Sequence, residues 1–488
     1  MSDFSALGVA LSGLEAQQAG LDTVGQNVAN ANTPGYLDEQ VNLSAVGSVQ
    51  HLGFDEAAGA MPGAGVQVAN ITRLDNTYLQ QRSYTEQGTQ GMLAAQQSGL
   101  QAVQQNFPEP STNGLSGTLT QFWQSWSTLA NNPADIPTRA TLVQQASNLA
   151  GQLNQTSAAL TQQGQQTVQD MSLTVGQVNQ YAQQIAALNQ QVTGPSAGGK
   201  DVNELLDQRD QLVSKLSNDI GVNVSYGSNG TVNISTGGEQ LVSGNNYQQL
   251  SLSKSGPPYS LTWSQDQSTY SPNSGSLGGM LDVVNDYVPS YGSQLDQVAQ
   301  SLMGSVNSLM SRGYDLNNNP GQPFFLGTGA ADIQVNPAIT ANPSLIAAAS
   351  SPTATGSTAT NEDGTIAADV GELPNSQTAT LSQPAGGWAA GGSASAWSGA
   401  TSSTGTEADA AYNQLVTNIG QATSSVGTNY TNQQAVTNNV NAALQSATGV
   451  NTDQELTNMV MYQNAYDASA KFISTVNTTL QTLISMVG

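Results

Sequence analysis

The segment FSALGVALSGLEAQQAGLDTVGQNVANANTPGY, residues 4–36, decides the fold of the N-terminal region. Its apolar residues recur at alternating spacings of three and four, the pattern of a coiled-coil helix. The predicted interface positions are Phe4, Leu7, Leu11, Leu14, Leu21 and Val28. Proline disfavours helical geometry in the residue before it. We therefore expect the helix to end in a turn that contains Asn30, Asn32, Pro34, Gly35 and Tyr36.

The C-terminal segment repeats this spacing. Its predicted interface positions are Met459, Tyr466, Ile473, Leu480 and Ile484, and Asn451 to Asp453 offer an N-cap just before them. Matching apolar faces at both ends of a chain favour pairing with each other and with neighbouring copies. This pattern predicts an assembly interface.

The order of segments between the two ends predicts a mainly α fold with β-containing inserted domains. Helical patterns cover about 70–106, 115–129, 139–192, 280–310 and 412–444. Alternating apolar residues around a turn at 228–230 predict a β-hairpin. On the helical face at 205–216, the stem of Arg209 is expected to cover the edge of the apolar strip.

These patterns predict nested domains. The terminal helices, 1–45 and 448–488, pair as a coiled coil, and 46–220, 278–312 and 406–447 form a layer of long helices. Residues 221–277 form a hairpin-containing insert. Residues 313–405, rich in Ala, Gly, Ser and Thr, form an outer domain of short strands and loops.

Composition excludes several classes of function. The 488 residues carry 9 Lys and Arg against 33 Asp and Glu, for a formal net charge of −24. Such a chain repels nucleic acid and anionic membranes, so neither nucleic-acid binding nor membrane insertion is expected. Cysteine is absent, which removes disulfides and thiolate metal sites. The first 20 residues lack a basic n-region and do not predict a cleaved signal peptide.

No motif predicts catalysis, a metal or a cofactor. His51 is the single histidine, which excludes metal sites built from several histidines and leaves one candidate for a triad; we interpret it as a surface or turn residue. The segment after Asp315 begins like a calcium loop, but Pro320 stands where that loop needs glycine. We interpret it as an Asn-rich turn. A carboxylate pair of the glycosidase kind stays open, because separation in space cannot be read from sequence.

Residues 10–36 and 450–488 resemble the N- and C-terminal signatures of the flagellar rod, hook and hook-associated axial proteins. The middle is similar to the hook-associated protein 1 branch of that family. The similar stretches are NNPADIPTRATLV at 131–143, VNQYAQQIAALNQQV at 178–192, NELLDQRDQLVSKLS at 203–217, SGSLGGML at 274–281 and SRGYDLNNNPGQPFF at 311–325. Where the family often has Ser or Thr followed by Arg-Gln, this chain has Leu37-Asp38-Glu39-Gln40.

The resemblance implies an extracellular structural subunit of the flagellum and no enzyme. It implies self-association in a ring or helical layer, with hook protein on one side and hook-associated protein 3 on the other. It also implies an export chaperone on the C-terminal helix, for which Tyr466, Ile473 and Leu480 are the candidate contacts. Two alternatives stay open: another axial protein, such as hook-associated protein 3 or flagellin, and an exported peptidoglycan hydrolase.

Overall fold

The structure, a computed structural model, describes residues 3–46, 65–112, 114–194, 201–227, 229–253, 256–353, 361–375 and 408–487. The fold is 67% helical, with long helices at both ends and small antiparallel sheets in the middle. This confirms the predicted fold class. His51 lies outside the described residues.

The helices are α1 (Asp3–Asn30), α2 (Thr77–Gln105), α3 (Leu115–Asn131), α4 (Ile136–Val192), α5 (Asp201–Ile220), α6 (Gly275–Asp282), α7 (Val288–Met310), α8 (Pro337–Ala341), α9 (Thr365–Gly371), α10 (Ala408–Thr448) and α11 (Thr452–Val487). A π-helical turn, Val283–Tyr287, joins α6 to α7, and two 3-10 turns lie at Pro343–Leu345 and Leu373–Asn375.

The strands are β1 (Glu39–Ala45), β2 (Val66–Arg73), β3 (Asn223–Tyr226), β4 (Val232–Thr236), β5 (Glu239–Ser243), β6 (Asn246–Tyr247), β7 (Leu250–Leu252), β8 (Leu261–Trp263), β9 (Thr269–Tyr270), β10 (Phe325–Leu326) and β11 (Gln334–Val335). They form four antiparallel sheets, β1-β2, β3-β4-β5-β6, β7-β8-β9 and β10-β11.

Helix α4 contributes to two apolar cores. Its 57 residues span about 85 Å at 1.5 Å per residue. Leu142 to Leu160 pack with α3, α7 and α10 in a first core, whereas Met171 to Ala186 pack with α5, α6 and the strands β4 to β9 in a second. One helix therefore supports both the helical layer and the inserted sheets.

The first core is centred on aromatic rings. Trp126 and Phe122 of α3 are fully buried, and the Trp126 and Phe324 ring centroids lie 5.2 Å apart. The Phe122 centroid lies 5.6 Å from that of Phe325. These tilted contacts are the arrangement that aromatic quadrupoles favour.

The first sheet was not predicted. Residues 70–73, which the periodicity places in a helix, instead end β2, and the following helix begins at Thr77. Strand β1 pairs with β2 from Glu39↔Arg73 to Ala45↔Val66. Because these strands lie 20 residues apart in the chain, no short turn signal links them.

Much of the described part of 313–405 packs against the helical layer. Phe324, Phe325, Ile339 and Ile346 are buried in the same core as Trp126. These residues join the predicted outer β/loop domain to the helical layer, and the division of the chain into domains stays a prediction. The small-residue composition concealed the few large apolar residues that fix the segment to the helices.

Arg209 differs from its prediction, while the Asp315 turn agrees with it. Arg209 is 1% exposed, and its guanidinium donates to the Gly230 carbonyl at 2.6 Å, so the whole side chain is buried rather than only its stem. The Asp315 carboxylate accepts the backbone N–H groups of Asn317 and Asn319 at 2.7 and 2.8 Å. This closes the predicted Asn-rich turn.

Candidate assembly surface and its anchor

Helices α1 and α11 run antiparallel and pack closely along one face of each. Most buried residues of α1 on this face are small, notably Ala10, Ala16 and Gly20, and Val24 is the larger exception. A Cβ atom added to Gly20 would lie 2.6 Å from the Tyr462 ring. Glycine at this position therefore lets the Tyr462 ring of α11 approach the α1 backbone.

The predicted interface residues of α1 lie beside this contact. Leu7, Leu14, Leu21 and Val28 are half-buried, and Leu11 is 49% exposed. Phe4 lies within the helix. The larger apolar residues of α1 thus remain partly open to solvent, and their role in assembly stays a prediction.

The predicted interface residues of α11 are exposed to solvent to a similar degree. Met459, Tyr466, Ile473 and Leu480 are half-buried, and Ile484 is 71% exposed near the end of the helix. The candidate chaperone contacts Tyr466, Ile473 and Leu480 all lie on this half-buried strip, and their role also stays a prediction.

A second apolar strip on α11 was missed by the heptad analysis. Leu456, Val460 and Met461 are each more than half exposed and line a shallow groove with Thr457 and Asn464. Phe472, further along the helix, is 49% exposed. Heptad analysis follows one seam, so it did not identify this strip.

The turn after α1 joins that helix to the helical layer. Asn30 ends the helix by accepting the Thr33 N–H, and Gly35 adopts a φ of +82°, which favours glycine. The Pro34 carbonyl accepts from the Gln211 side chain of α5 at 2.7 Å. Asn32 is exposed. This turn contact fixes the start of the connection to β1.

Asn27 is the polar centre of this region, and the sequence analysis did not single it out. Its side chain is fully buried, and its Oδ1 accepts from the Tyr36 hydroxyl at 2.8 Å and from the Glu39 N–H at 3.1 Å. Its Nδ2 donates to Asp38 Oδ1 at 2.6 Å and to Glu455 Oε2 at 3.0 Å. One amide thus joins α1, the turn, β1 and α11.

An ion-pair cluster ties β2 to α5 next to this centre. Arg73 donates to Asp207 at 2.7 Å and to Asp210 at 2.5 Å, with all three side chains largely buried. Burial raises the pKa of Asp207 to about 6, although the hydrogen bond and charge of Arg73 act in the opposite direction. The region below the terminal helices is therefore held by charged as well as amide groups.

The described residues hold no group of three or more His, Cys, Asp or Glu side chains placed to bind a metal ion. Within the same part of the chain, no helix combines the length and apolarity needed to cross a bilayer.

Three family models match the chain. Residues 100–325 match the helical domain of flagellar hook-associated protein FlgK. Residues 7–36 match the flagella basal body rod protein, and 439–486 match the C-terminal region of the flagellar basal body rod FlgEFG proteins. Flagellar hook-associated protein 1 of Escherichia coli is 28% identical over 98% of each chain. The chain belongs to the flagellar hook-associated protein 1 family.

Other relatives agree with this family. Flagellar hook-associated protein 1 of Salmonella typhimurium is 33% identical over 329 residues, which are 65% of this chain and 58% of the relative. The flagellar hook junction protein FlgK of Burkholderia pseudomallei superposes with a TM-score of 0.62 at 19% identity, over 75% of this chain and all of that structure. The latter comparison shows a shared fold.

Proposed function

We propose that this chain is a structural subunit of the bacterial flagellum that forms the junction between hook and filament. Membership of the hook-associated protein 1 family supports this role. The observation that carries it is the pair of terminal helices, whose apolar residues remain half-buried or exposed within one chain. Such residues are free to contact further subunits.

The proposed assembly uses the terminal helices as the contact between copies. Subunits associate in a ring or helical layer, with hook protein on one side and hook-associated protein 3 on the other. Leu11, Leu456, Val460 and Ile484 are the exposed positions from which we expect the largest contributions. Burial of such a side chain contributes about 1.5–3 kcal/mol, so a few of them stabilise a subunit contact.

Before assembly, the apolar residues of α11 that face solvent need a partner that covers them. We propose that an export chaperone binds α11 over Tyr466, Ile473 and Leu480. An amphipathic helix that lays its apolar strip in a partner's groove is a common recognition mode. The role is structural, and no catalytic step is assigned to the chain.

Gene deletion followed by electron microscopy tests the junction role. Cells without the gene are expected to carry hooks without filaments and to release flagellin into the medium. The wild-type gene restores filaments, whereas a Val460→Ser, Ile484→Ser variant restores few or none. Both substitutions remove apolar area from exposed positions, so the isolated subunit still folds.

Leu173→Ser provides the matched control, because Leu173 is 69% exposed on α4, outside the terminal helices. This variant is expected to restore filaments fully. Normal filaments in the deleted cells would refute the junction role. Full restoration by the double variant would refute the assigned surface while leaving the junction role intact.

A further inference from the structure

Three carboxylates meet where the terminal helices join the rest of the chain. Asp38 is 7% exposed, Glu39 6% and Glu455 4%. Asp38 directly precedes β1, Glu39 is its first residue, and Glu455 lies in the first turn of α11. Their proximity links the two ends of the chain through buried groups that carry the same charge.

Asn27 offers these groups fewer hydrogens than they can accept. Its Nδ2 carries two hydrogens but lies within hydrogen-bond distance of three oxygens. These are Asp38 Oδ1 at 2.6 Å, the Glu39 carbonyl at 2.9 Å and Glu455 Oε2 at 3.0 Å. Asn27 therefore holds the Asp38 and Glu455 carboxyls close to each other, where the Glu455 side chain opposes ionisation of Asp38.

The groups around the Asp38 carboxyl favour a bound proton. Burial is the largest cause and raises its pKa to about 6; Glu455 and Glu39 also raise it, while hydrogen bonds from Gln40 and Asn27 lower it. From α1, β1 and α11, the groups that face it are therefore amides and carboxylates.

The other titratable groups near Asp38 do not neutralise the negative charge of its ionised carboxyl. Tyr36 donates its hydroxyl proton to Asn27 and has its pKa raised by burial and by the acidic groups around it. Tyr462 of α11 faces Glu455, and Asp207 of α5 faces Tyr36. The guanidinium of Arg73 is bound to Asp207 and Asp210.

The backbone of Asp38 is fixed to the helical layer. Its N–H donates to the Thr448 carbonyl at the end of α10 at 2.9 Å, and its carbonyl accepts the Leu74 N–H at 2.7 Å. Glu455, in contrast, belongs to α11. Because Asn27 bonds both side chains, repulsion between Asp38 and Glu455 acts directly on the junction between the terminal helices and the layer.

We propose that Asp38 takes up a proton where Asn27 holds it beside Glu455, and that uptake of this proton locks the terminal helix pair onto the base of the helical layer. The inference goes beyond the proposed function and does not depend on it. It assigns a role to Asp38, which lies in the Leu37-Asp38-Glu39 segment where the chain differs from the family pattern.

The direction of the pH dependence follows from the raised pKa. A carboxyl that holds its proton more tightly in the docked state favours docking once the pH falls below the docked pKa. Docking therefore strengthens as the pH falls through about 6 towards the ordinary value of 3.8. At pH 8 Asp38 is ionised, and the contact between the helix pair and the layer is loosened. Two pKa units set the largest change at about 100-fold in the docking equilibrium.

The distance between two spin labels, one on the helical layer and one on α11, tests the predicted pH dependence of docking. The full chain has no cysteine, so Gln208→Cys on α5 and Asn464→Cys on α11 allow labelling at exposed positions. We expect a narrow distance distribution at pH 5 and a broader one at pH 8. Equal widths at the two pH values would overturn the proposal.

Substitutions at Asp38 and Glu455 test whether these two residues, and not other acids, cause the pH response. Asp38→Asn removes the carboxyl that takes up the proton, and Glu455→Gln removes the carboxyl beside it. Both variants are expected to give narrow distance distributions at both pH values. Asp453→Asn, at an exposed acid on the same helix, is expected to keep the wild-type response. Circular dichroism establishes that each variant folds. If both pair variants responded to pH like the wild type, the proton would be bound elsewhere and the proposal would be wrong.

Discussion

The aromatic core of the helical layer and the terminal helix pair use apolar residues in opposite ways. Trp126, Phe122 and Phe324 are completely enclosed by their own chain. Along α1 and α11 most of the larger apolar residues are half-buried or exposed, and apart from Val24 the buried positions hold small or polar residues. The first region completes its packing within one molecule, whereas the second leaves apolar area available for other subunits.

This difference separates folding from assembly. A close-packed core loses stability when any large side chain is removed, because the cavity is not refilled. A half-buried strip loses little in the isolated chain, and its apolar contacts contribute most after another surface covers it. Substitutions in the two regions should therefore be detected by different measurements.

The largest effect is expected in the aromatic core. Trp126→Ala removes a fully buried indole beside Phe324 and should lower the free energy of unfolding by about 3–5 kcal/mol. Denaturant unfolding followed by circular dichroism measures it. Leu173→Ala, at a 69% exposed position, serves as the control and should change stability by less than about 0.5 kcal/mol. Equal losses would contradict the division between enclosed and open apolar residues.

An intermediate effect is expected at the α1–α11 contact. In Gly20→Ala the new methyl group meets the Tyr462 ring at 2.6 Å, so the pair should loosen by about 1–3 kcal/mol. Hydrogen exchange of amides 455–473 measures this loosening.

The matched variant is Gly25→Ala, whose added methyl group meets no heavy atom within 4 Å. Alanine has the higher helix propensity, so this change should stabilise the helix by up to about 1 kcal/mol. The same substitution five residues apart is thus expected to have opposite signs. A shared sign would show that helix propensity, and not contact with α11, governs this pair.

The smallest effect on the stability of the remaining chain is expected when both terminal helices are removed. A chain without residues 1–40 and 451–488 keeps the cores around Trp126 and around Trp263. It should retain one cooperative unfolding transition but lose assembly, as measured by circular dichroism and by addition to purified hooks. Loss of the transition would show that the terminal pair is needed for the fold.

Long helices were the elements that sequence reasoning placed best. The pattern at 139–192 corresponds to α4, Ile136–Val192, and the hairpin predicted around 228–230 is the β3-β4 pair. Local periodicity and turn residues suffice for such elements, because their hydrogen bonds join residues close in sequence. The β1-β2 sheet was missed because its strands meet across 20 intervening residues, too many for a hairpin turn to identify the pair.

The candidate site was less accessible to sequence reasoning. Heptad spacing identified the two amphipathic helices, but not the small residues that α1 buries or the second apolar strip on α11. The Asn27–Glu455 hydrogen bond joins residues 428 positions apart. No local pattern marks such a pair, since each residue alone is an ordinary polar position on a helix.

The sequence by itself determined the helical character of both ends, the turn at Pro34 and the excess of acidic over basic residues, because each depends on neighbouring residues or on composition. The tertiary structure decided which apolar residues are enclosed and which stay open. It also decided that Asn27, Asp38 and Glu455 share one buried space. The physical reason is that burial and hydrogen-bond partnership depend on the positions of distant segments, which only the packing of the whole chain establishes.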